Sequence, residues 1–447
     1  MKSKYKIAPL PSSSIPSGIS FIVANEAAER FSYYGMRAIL VVFMTQYLMN
    51  SSGALDVMSE NEAQGYFHLF VSAVYFMPIL GALLADGIIG KYRTIIFLSL
   101  FYCAGHFALA LDDTRMGLLM GLGLIALGAG GIKPCVSSHL GDQFGASNHH
   151  LLSRVFGWFY FSINIGAFVA MLVIPWLLDK FGASFAFAVP GVLMLIATFF
   201  FWRGRYHFVH IPPAGTDFIK EVLSPFGLKI VFRLGTIYLF IAVFWALFEQ
   251  VGSSWVLQAQ KMDRVIFGIE ILPSQIQAAN PLLIMCLVPL FSYQIYPILS
   301  KKVELTALKK ISMGLFLTVF AFAIPAVIQM QIDNGNAPHI VWQLSAYLLL
   351  TAAEVMVSIT CLEFSYTQAP KNMKSFVMAL FFMSIALGNL FTSAVNFFIL
   401  NVDGSHKLAG ADYFWFFTGL MLVTAVLFVF VSNRYQEKTY LHEEQVG

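Results

Sequence analysis

The stretch Phe185–Trp202, FAFAVPGVLMLIATFFFW, contains no charged side chain. A helix needs roughly 20 apolar residues to cross the hydrocarbon core of a bilayer, where no backbone N–H or C=O group can go unpaired. This stretch therefore predicts a membrane-spanning helix.

The rest of the chain has the same character. Of its 447 residues, 58% are hydrophobic and 11% are charged, so its apolar surface exceeds what one soluble core could hide. The net charge of +3 is small, and the basic residues are scattered over loops. This distribution argues against a nucleic-acid surface.

Apolar runs between polar breaks predict an all-α membrane protein with twelve transmembrane helices in two six-helix bundles. The predicted helices are Gly18–Leu48, Glu62–Ala85, Arg93–Leu111, Gly117–Leu140, Leu151–Leu178, Phe185–Trp202, Ile230–Gln258, Ile276–Pro297, Thr306–Met330, His339–Phe364, Met373–Leu400 and Asp412–Ser432. The predicted organisation is a cytoplasmic tail (1–17), an N-terminal bundle (18–202), a cytoplasmic linker (203–229), a C-terminal bundle (230–432) and a second cytoplasmic tail (433–447). Two six-helix halves are typical of the major facilitator superfamily.

The charged loops predict the orientation. If the N-terminus is cytoplasmic, 19 of the 27 Lys and Arg residues fall in cytoplasmic segments. Five fall in outer segments and three lie within helices. This asymmetry follows the positive-inside rule. The polar start of the chain does not resemble a cleavable signal, and we expect the first helix to remain in the mature protein.

One predicted cytoplasmic loop adds to the superfamily signature. It follows the second helix and reads GALLADGIIGKYR from Gly81 to Arg93, similar to the superfamily pattern G-x-x-x-[AD]-D-x-x-G-[KR]-x-[KR]. We expect Asp86, the Gly90 turn and the bases Lys91 and Arg93 to join neighbouring helices. A merely basic inside loop is the alternative.

Ionisable residues inside the predicted helices carry the functional information. A charge at the bilayer centre costs at least about 2.5–3.5 kcal/mol unless it faces a partner or water. Eight such residues lie on five predicted helices: Glu26, Glu29, Arg30, Arg37, His68, Lys133, Glu249 and Glu354. Single intramembrane ion pairs can simply hold helices together, but this number in both halves favours a substrate or ion path.

Counting these charges suggests proton coupling. Without the histidine there are three bases and four carboxylates, which leaves one carboxylate without a cation. A carboxylate in a low dielectric prefers to bind a proton, and protonation can then bias a conformational equilibrium. We therefore expect coupling to the proton gradient.

The first helix resembles a known family. Its sequence from Ala24 to Arg37, ANEAAERFSYYGMR, is similar to the Glu-x-x-Glu-Arg-Phe-x-Tyr-Tyr-Gly motif of the proton-coupled oligopeptide transporters within the major facilitator superfamily. Further similar stretches are Pro78–Asp86, Gly131–Pro134, Phe159–Gly166, Phe244–Gln250 and Leu362–Ser375. The last of these and the segment around His68 look most like the animal peptide transporters and their bacterial relatives.

The resemblance implies import of di- and tripeptides, and of peptide-like drugs, with protons by alternating access. It assigns the peptide's carboxylate and backbone to Arg30, Tyr34, Tyr75, Lys133, Tyr160 and Asn164, and Arg37 is a further expected substrate-binding residue. It assigns the peptide's amino group to Glu354 with Asn280 and Ser358, and an aromatic wall to Trp245 and Phe381. Glu26, Glu29, Arg30, His68 and Glu249 become the proton-coupling residues, and the expected gating pairs are Arg37 with Glu249 and Lys133 with Glu354, together with Glu29–Lys133.

The chain also departs from the family. The segment Arg203–Lys229 is too short for two inserted helices, and Gln331–Pro338 leaves no room for an outer domain, so a minimal form in a bacterial inner membrane fits best. Phe381 stands where the family often has tryptophan, which removes an N–H donor. We expect a monomer that needs no cofactor. We also expect no metal site, because the four cysteines lie in separate apolar segments.

Other interpretations remain open at this point. Tyr75, Tyr160, Asn164 and Asn280 can be interhelical hydrogen-bonding residues, His68 can be structural, and Trp245 can be packing. A facilitator for amino acids, nitrate, drugs or sugars would share the twelve helices but would not need the acid–acid–base cluster of the first helix. A membrane enzyme would need a nucleophile–base or metal motif, and HExxH and GxSxG are both absent from the sequence.

Overall fold

A computed structural model describes residues 5–213, 215, 224–368, 374–399 and 407–435, without the side chains of Tyr366, Lys374 and Ser375. The predicted helix ends Met373 and Leu400, part of the predicted linker and almost all of the second tail lie outside these residues. So does the centre of the Leu362–Ser375 motif.

The first half of the chain forms six long helices. They are α1 (Ile19–Gln46), α2 (Glu60–Ala82), α3 (Lys91–Leu111), α4 (Arg115–Gly141), α5 (Leu152–Phe181) and α6 (Ala183–Arg203). A π-helical segment, Leu83–Ile89, continues α2, and 3₁₀ turns lie at His149–Leu151 and Gly204–Tyr206. Ser59 and Thr114 cap α2 and α4, since each hydroxyl accepts a bond from a backbone N–H of the first turn.

The second half has more interruptions. Its helices are α7 (Pro225–Phe248), α8 (Ser254–Gln260), α9 (Ala279–Leu290), α10 (Tyr296–Ser300), α11 (Ala307–Asp333), α12 (Val341–Glu354), α13 (Thr360–Thr367), α14 (Lys374–Phe398) and α15 (Ala411–Arg434). Between them lie 3₁₀ segments at Glu249–Gly252 and Pro273–Ala278, and π segments at Phe291–Ile295 and Val355–Ile359. Strands β1 (Val265–Ile266) and β2 (Ile269–Glu270) form an antiparallel hairpin with Val265 opposite Glu270.

Among the described residues, 11 helical stretches are long and apolar enough to cross a membrane. Helix α1 differs in composition, because it carries Glu26, Glu29, Arg30 and Arg37, but its 28 residues are about 42 Å long. That length exceeds the roughly 30 Å hydrocarbon core. Each of the twelve predicted spans therefore corresponds to a helical stretch, and the protein is a multi-pass membrane protein.

The structure differs from the predictions at one helix start and at several interruptions within helices. Helix α7 begins at Pro225 rather than Ile230, because Ser224 caps it and proline is favoured in the first helical turn. The seventh, eighth and tenth predicted helices are not continuous α-helices, since 3₁₀ or π segments interrupt them. Pro289 comes shortly before one π segment, and proline removes a backbone donor from the helical ladder.

The described residues group into two compact units. The first contains the chain up to Gly215 together with Ser274–Pro281, and the second contains the remainder. In the first unit α1 packs against α5 and α6, while α4 packs against α2 and α3. In the second unit α11 packs against α12 and α15, and α7 packs against α14.

Glycines bring α2 and α4 of the first unit into direct backbone contact. A Cβ atom at Gly81 would overlap the carbonyl oxygen of Gly131, and one at Gly130 would overlap that of Val74. Small residues allow such close approach between membrane helices. As a result Lys133, which lies near these glycines on α4, contacts the ring of Tyr75 on α2.

The N-terminal tail pairs with the linker, which the sequence did not predict. The backbone of Lys6 forms a parallel bridge with Val209, and His210 N–H donates to the Lys6 carbonyl at 2.7 Å. The Gln143 side chain at the end of α4 accepts a bond from Val209 N–H at 2.8 Å. Tail, linker and α4 thus meet at one end of the first unit.

Candidate functional site

The acids and base of α1 form one buried cluster. Arg30 Nε donates to Glu26 Oε1 at 2.7 Å and lies 3.2 Å from Glu29 Oε2. Glu26 and Glu29 are 2% and 1% exposed. The spacing of three and four residues places all three side chains on one face of α1, so a single guanidinium serves two carboxylates.

Lys133 lies between two tyrosine rings. Its Nζ is 4.1 Å from the ring centre of Tyr33 on α1 and 4.2 Å from that of Tyr75 on α2. Ammonium groups are attracted to the faces of aromatic rings, and more strongly when both are removed from water. The side chain of Lys133 is buried, so this cation belongs to the interior of the first unit.

Tyr33 and Tyr34 of α1 differ in burial, and Tyr33 is the one whose ring contacts Lys133. Tyr33 is fully buried, whereas Tyr34 is half-buried and meets Tyr33 edge-on at 5.3 Å. The family resemblance assigned the substrate to Tyr34, and this assignment stays a prediction. The contact between Lys133 and Tyr33 depends on how α1 and α4 pack, and no pattern in the sequence indicates that packing.

Arg37 and His68 approach the same aromatic residue. The Arg37 guanidinium lies 5.4 Å from the ring centre of Phe67, and the His68 ring lies 5.2 Å from that ring. Both Arg37 and His68 are buried. Two candidate residues from α1 and α2 are thus brought together around Phe67, which the sequence analysis did not single out.

Tyr160 and Asn164 lie on successive turns of α5. The Asn164 amide donates to the backbone carbonyl of Tyr160 at 2.9 Å, while the Tyr160 side chain is exposed. Asn280 is partly buried at the start of α9, in the segment that groups with the first unit. Nearby, the Gln277 side chain donates to the Ala38 carbonyl of α1 at 3.1 Å.

In the second unit Trp245 and Phe381 are neighbours. Their ring centres are 6.4 Å apart with the planes at 75°, and Phe248 meets Trp245 edge-on at 5.3 Å. Such edge-to-face arrangements are favoured between aromatic rings. Trp245 Nε1 is buried and has no hydrogen-bond partner among the described residues.

The acidic candidates of the second unit lie at helix irregularities. Glu249 begins the 3₁₀ segment that ends α7, and it is buried. Glu354 is the last residue of α12 before a π segment that contains Ser358. π segments inside helices are frequent at functional sites. The sequence identified these residues but not the breaks beside them.

The loop motif also contains an ion pair. Gly90 has a positive φ of 83°, which favours glycine, and Asp86 lies in the π segment before it. Lys91 Nζ lies 2.8 Å from Asp142 Oδ2, so the start of α3 is joined to the end of α4. Asp142 was not among the predicted residues. Arg93, in the first turn of α3, is exposed.

The predicted gating pairs are not tested by these distances. Arg37 and Lys133 belong to the first unit, while Glu249 and Glu354 belong to the second. Within the first unit, the ion pair of Glu29 is with Arg30. The three gating pairs, Glu29–Lys133 included, stay predictions.

Comparison with known proteins identifies the family. A family model described as PTR2, POT family, matches residues 92–228 and 226–416. The chain is 36% identical over 367 residues to "Peptide transporter family 1" of Drosophila melanogaster, which covers 72% of this chain and 48% of that protein. It is 35% identical over 379 residues to "Solute carrier family 15 member 2" of Homo sapiens, covering 73% of this chain and 50% of that one.

The chain spans about half the length of these curated relatives. Among solved structures, that of the POT family transporter PepTSo matches this chain with a TM-score of 0.87 and 35% identity. The match covers 95% of this chain and 99% of the PepTSo chain. This similarity confirms the predicted fold class, and the family match confirms the resemblance read from α1. The chain belongs to the POT family of membrane transporters.

Proposed function

We propose that the protein is a symporter that imports di- and tripeptides together with protons by alternating access. The observation that carries this proposal is the buried cluster of Glu26, Glu29 and Arg30 within a membrane helix. Ionisable side chains inside membrane helices are costly to bury, and they typically mark a substrate or ion path. The printed names of similar proteins support the cargo class, since both curated relatives named above belong to families of transporters and one is called a peptide transporter.

Proton coupling follows from the sharing of one base by two acids. Arg30 Nε lies within 3.2 Å of an oxygen of each carboxylate. Two carboxylates so close to each other favour protonation of one of them, because like charges disfavour the ionised form. Protonation of one carboxyl group weakens its ion pair with Arg30, so the guanidinium can bind another anion. Glu249 and His68 are further proposed proton sites.

The cargo's carboxylate is such an anion. A guanidinium and an ammonium give strong charge-assisted hydrogen bonds to a carboxylate. Arg30 and Lys133 are the proposed anchors, and Lys133 Nζ lies over the rings of Tyr33 and Tyr75. The remaining proposed contacts in the first unit are Tyr34, Arg37, Tyr75, Tyr160, Asn164 and Asn280.

The rest of the cargo is assigned to the second unit. Glu354 is the proposed partner of the peptide's amino group, with Ser358 in the adjoining π segment. Trp245 and Phe381 form an aromatic wall, which suits variable side chains because apolar pockets discriminate by only about 1–3 kcal/mol per methylene. Peptide-like drugs would be accepted for the same reason.

The setting is also proposed. The protein is proposed to be a monomer in a bacterial inner membrane, and the distribution of Lys and Arg supports cytoplasmic positions for both termini. No metal or cofactor is required, because the proton gradient supplies the energy.

Competition for uptake tests the cargo class. Vesicles containing the protein are loaded with a labelled dipeptide in the presence of unlabelled di-, tri- and tetrapeptides, free amino acids, nitrate or sugars, at several external pH values. Di- and tripeptides should compete, tetrapeptides and the other solutes should not, and uptake should rise as the external pH falls. Competition by a single non-peptide solute class, with none by dipeptides, would show a different facilitator.

A further inference from the structure

A cavity lies in the first unit, where the N-terminal tail, the linker and the start of α3 meet. It has a volume of about 260 Å³. Its walls come from Tyr5, the segment Ile89–Arg93, His139 and the segment His210–Pro213. The residues proposed to bind peptide or proton do not line it.

Two cations, Lys91 and Arg93, line the cavity together with the imidazoles of His139 and His210. The described residues of the wall include no carboxylate. The nearby Asp142 pairs with Lys91 at 2.8 Å and offsets its charge. Arg93 is exposed and supplies the remaining positive charge at this wall.

The cavity is also lined by the N-terminus of α3. Helix α3 begins at Lys91 and has 21 residues. The first backbone N–H groups of a helix have no partner within the helix, and the helix dipole adds positive potential there. Anions bind at such ends.

A buried histidine points independently to a ligand. His139 is 1% exposed, and its Nε2 has no hydrogen-bond partner among the residues that the structure describes. A buried polar atom without a partner costs free energy, so native structures seldom keep one. An imidazole nitrogen on the wall of a basic cavity can donate this bond to an anion.

His210 packs against two tyrosine rings of the cavity wall. Its ring lies 4.5 Å from that of Tyr5 and 4.7 Å from that of Tyr92, and its Nε2 is 2.7 Å from the Arg205 carbonyl. Burial lowers the pKa of His210, the hydrogen bond with the Arg205 carbonyl raises it, and the positive charge of Arg93 lowers it.

We propose that this cavity binds a phosphate group, either the headgroup of an anionic lipid or free phosphate. The volume is below the roughly 300–1,000 Å³ of sites for drug-sized ligands, so it suits a small anion. Basic pockets at the ends of membrane helices hold phosphate headgroups in this way. The apolar side chains of Ile89, Ile211, Pro212 and Pro213 would contact the ester side of a lipid.

Binding titrations on the full-length purified protein in detergent test the site. The probes are a short-chain phosphatidic acid, a short-chain phosphatidylcholine and inorganic phosphate, each followed by tryptophan fluorescence and by the shift in thermal unfolding. The test variants are Arg93→Gln and His139→Gln, and Arg93→Lys retains the charge. Lys309→Gln removes an exposed base outside the cavity and is the matched control.

We expect phosphatidic acid to bind more tightly than phosphatidylcholine, and Arg93→Gln to weaken it about fivefold. Arg93→Lys and Lys309→Gln should bind as the wild type does. Equal binding of inorganic phosphate with the same dependence on Arg93 would identify free phosphate as the source. The proposal is overturned if neither phosphate probe binds, if phosphatidylcholine binds equally well, or if Arg93→Gln, which replaces an exposed residue and should fold, binds like the control.

Discussion

Arg30 Nε lies 2.7 Å from Glu26 Oε1 across one turn of α1, and the two side chains are 12% and 2% exposed. Burying an ion pair gains little net stability against apolar residues of similar volume, whereas removing one partner leaves an uncompensated charge. A pair of this kind in a membrane helix is therefore better explained by function than by folding. The predictions for Glu26, Glu29 and Arg30 depend on this pair.

Neutralising either acid of α1 should uncouple transport from the proton gradient. Glu26→Gln or Glu29→Gln keeps the side chain's shape but cannot take up a proton, so accumulation against a gradient should be lost while peptide exchange continues. Counterflow and gradient-driven uptake in proteoliposomes separate the two activities. Glu304→Gln, which changes an exposed acid, is the control and should accumulate peptide normally. Full accumulation in both glutamine variants would refute this placement of the coupling site.

Removing the shared base should abolish both activities. Arg30→Ala leaves Glu26 and Glu29 buried without their cation and removes a proposed anchor of the peptide's carboxylate. Since a hydrogen bond to a charged group contributes about 1.5–3 kcal/mol, uptake should fall at least about tenfold. Arg30→Lys keeps the charge but loses the planar donor geometry, and should retain partial activity. Unchanged exchange by a well-folded Arg30→Ala protein would contradict the assignment.

The contact between α2 and α4 should be intolerant of a single methyl group. In Gly81→Ala the new Cβ would overlap the Gly131 carbonyl oxygen, and overpacking costs about 1–3 kcal/mol. In Gly123→Ala the Cβ would have no described atom within 4 Å, so helix propensity should leave stability unchanged or raise it by about 1 kcal/mol. Thermal unfolding in detergent compares the two variants. Equal unfolding temperatures would show that α2 and α4 are not in contact.

The linker histidine should make stability depend on pH. The pKa of His210 is lowered by burial, while in the unfolded chain it returns to its ordinary value near 6.5. The unfolded state then binds more protons below about pH 6.5, so stability falls as the pH drops through this value towards the lower folded pKa. His210→Gln should unfold with a smaller loss between about pH 7.5 and 5.5. An identical pH dependence in the variant would show that His210 is solvated.

Much of this site was predictable because intramembrane charge is rare. Glu26, Glu29, Arg30, Arg37 and Lys133 stand out in apolar runs, and α1 carries the family motif besides. The ion pairs of Arg30 with Glu26 and Glu29 were not predicted individually, although their spacing of three and four residues places all three on one face of α1.

Contacts between helices were not predictable in the same way. The position of Lys133 against Tyr33 and Tyr75 depends on the close approach of glycines on α2 and α4, and the pairing of Lys91 with Asp142 joins residues far apart in sequence. The breaks beside Glu249 and Glu354 were not predicted, because hydropathy does not distinguish α-helical from 3₁₀ or π geometry. The paired tail and linker were missed since polar segments without periodicity give no pairing signal.

The central claim is that one transport cycle moves a proton with a peptide. Purified protein in liposomes with a pH-sensitive dye in the lumen measures this directly when a dipeptide is added outside, without any imposed gradient. The account predicts that the lumen acidifies in step with dipeptide entry, and that Glu29→Gln abolishes acidification. Dipeptide entry without acidification in the wild-type protein would contradict it.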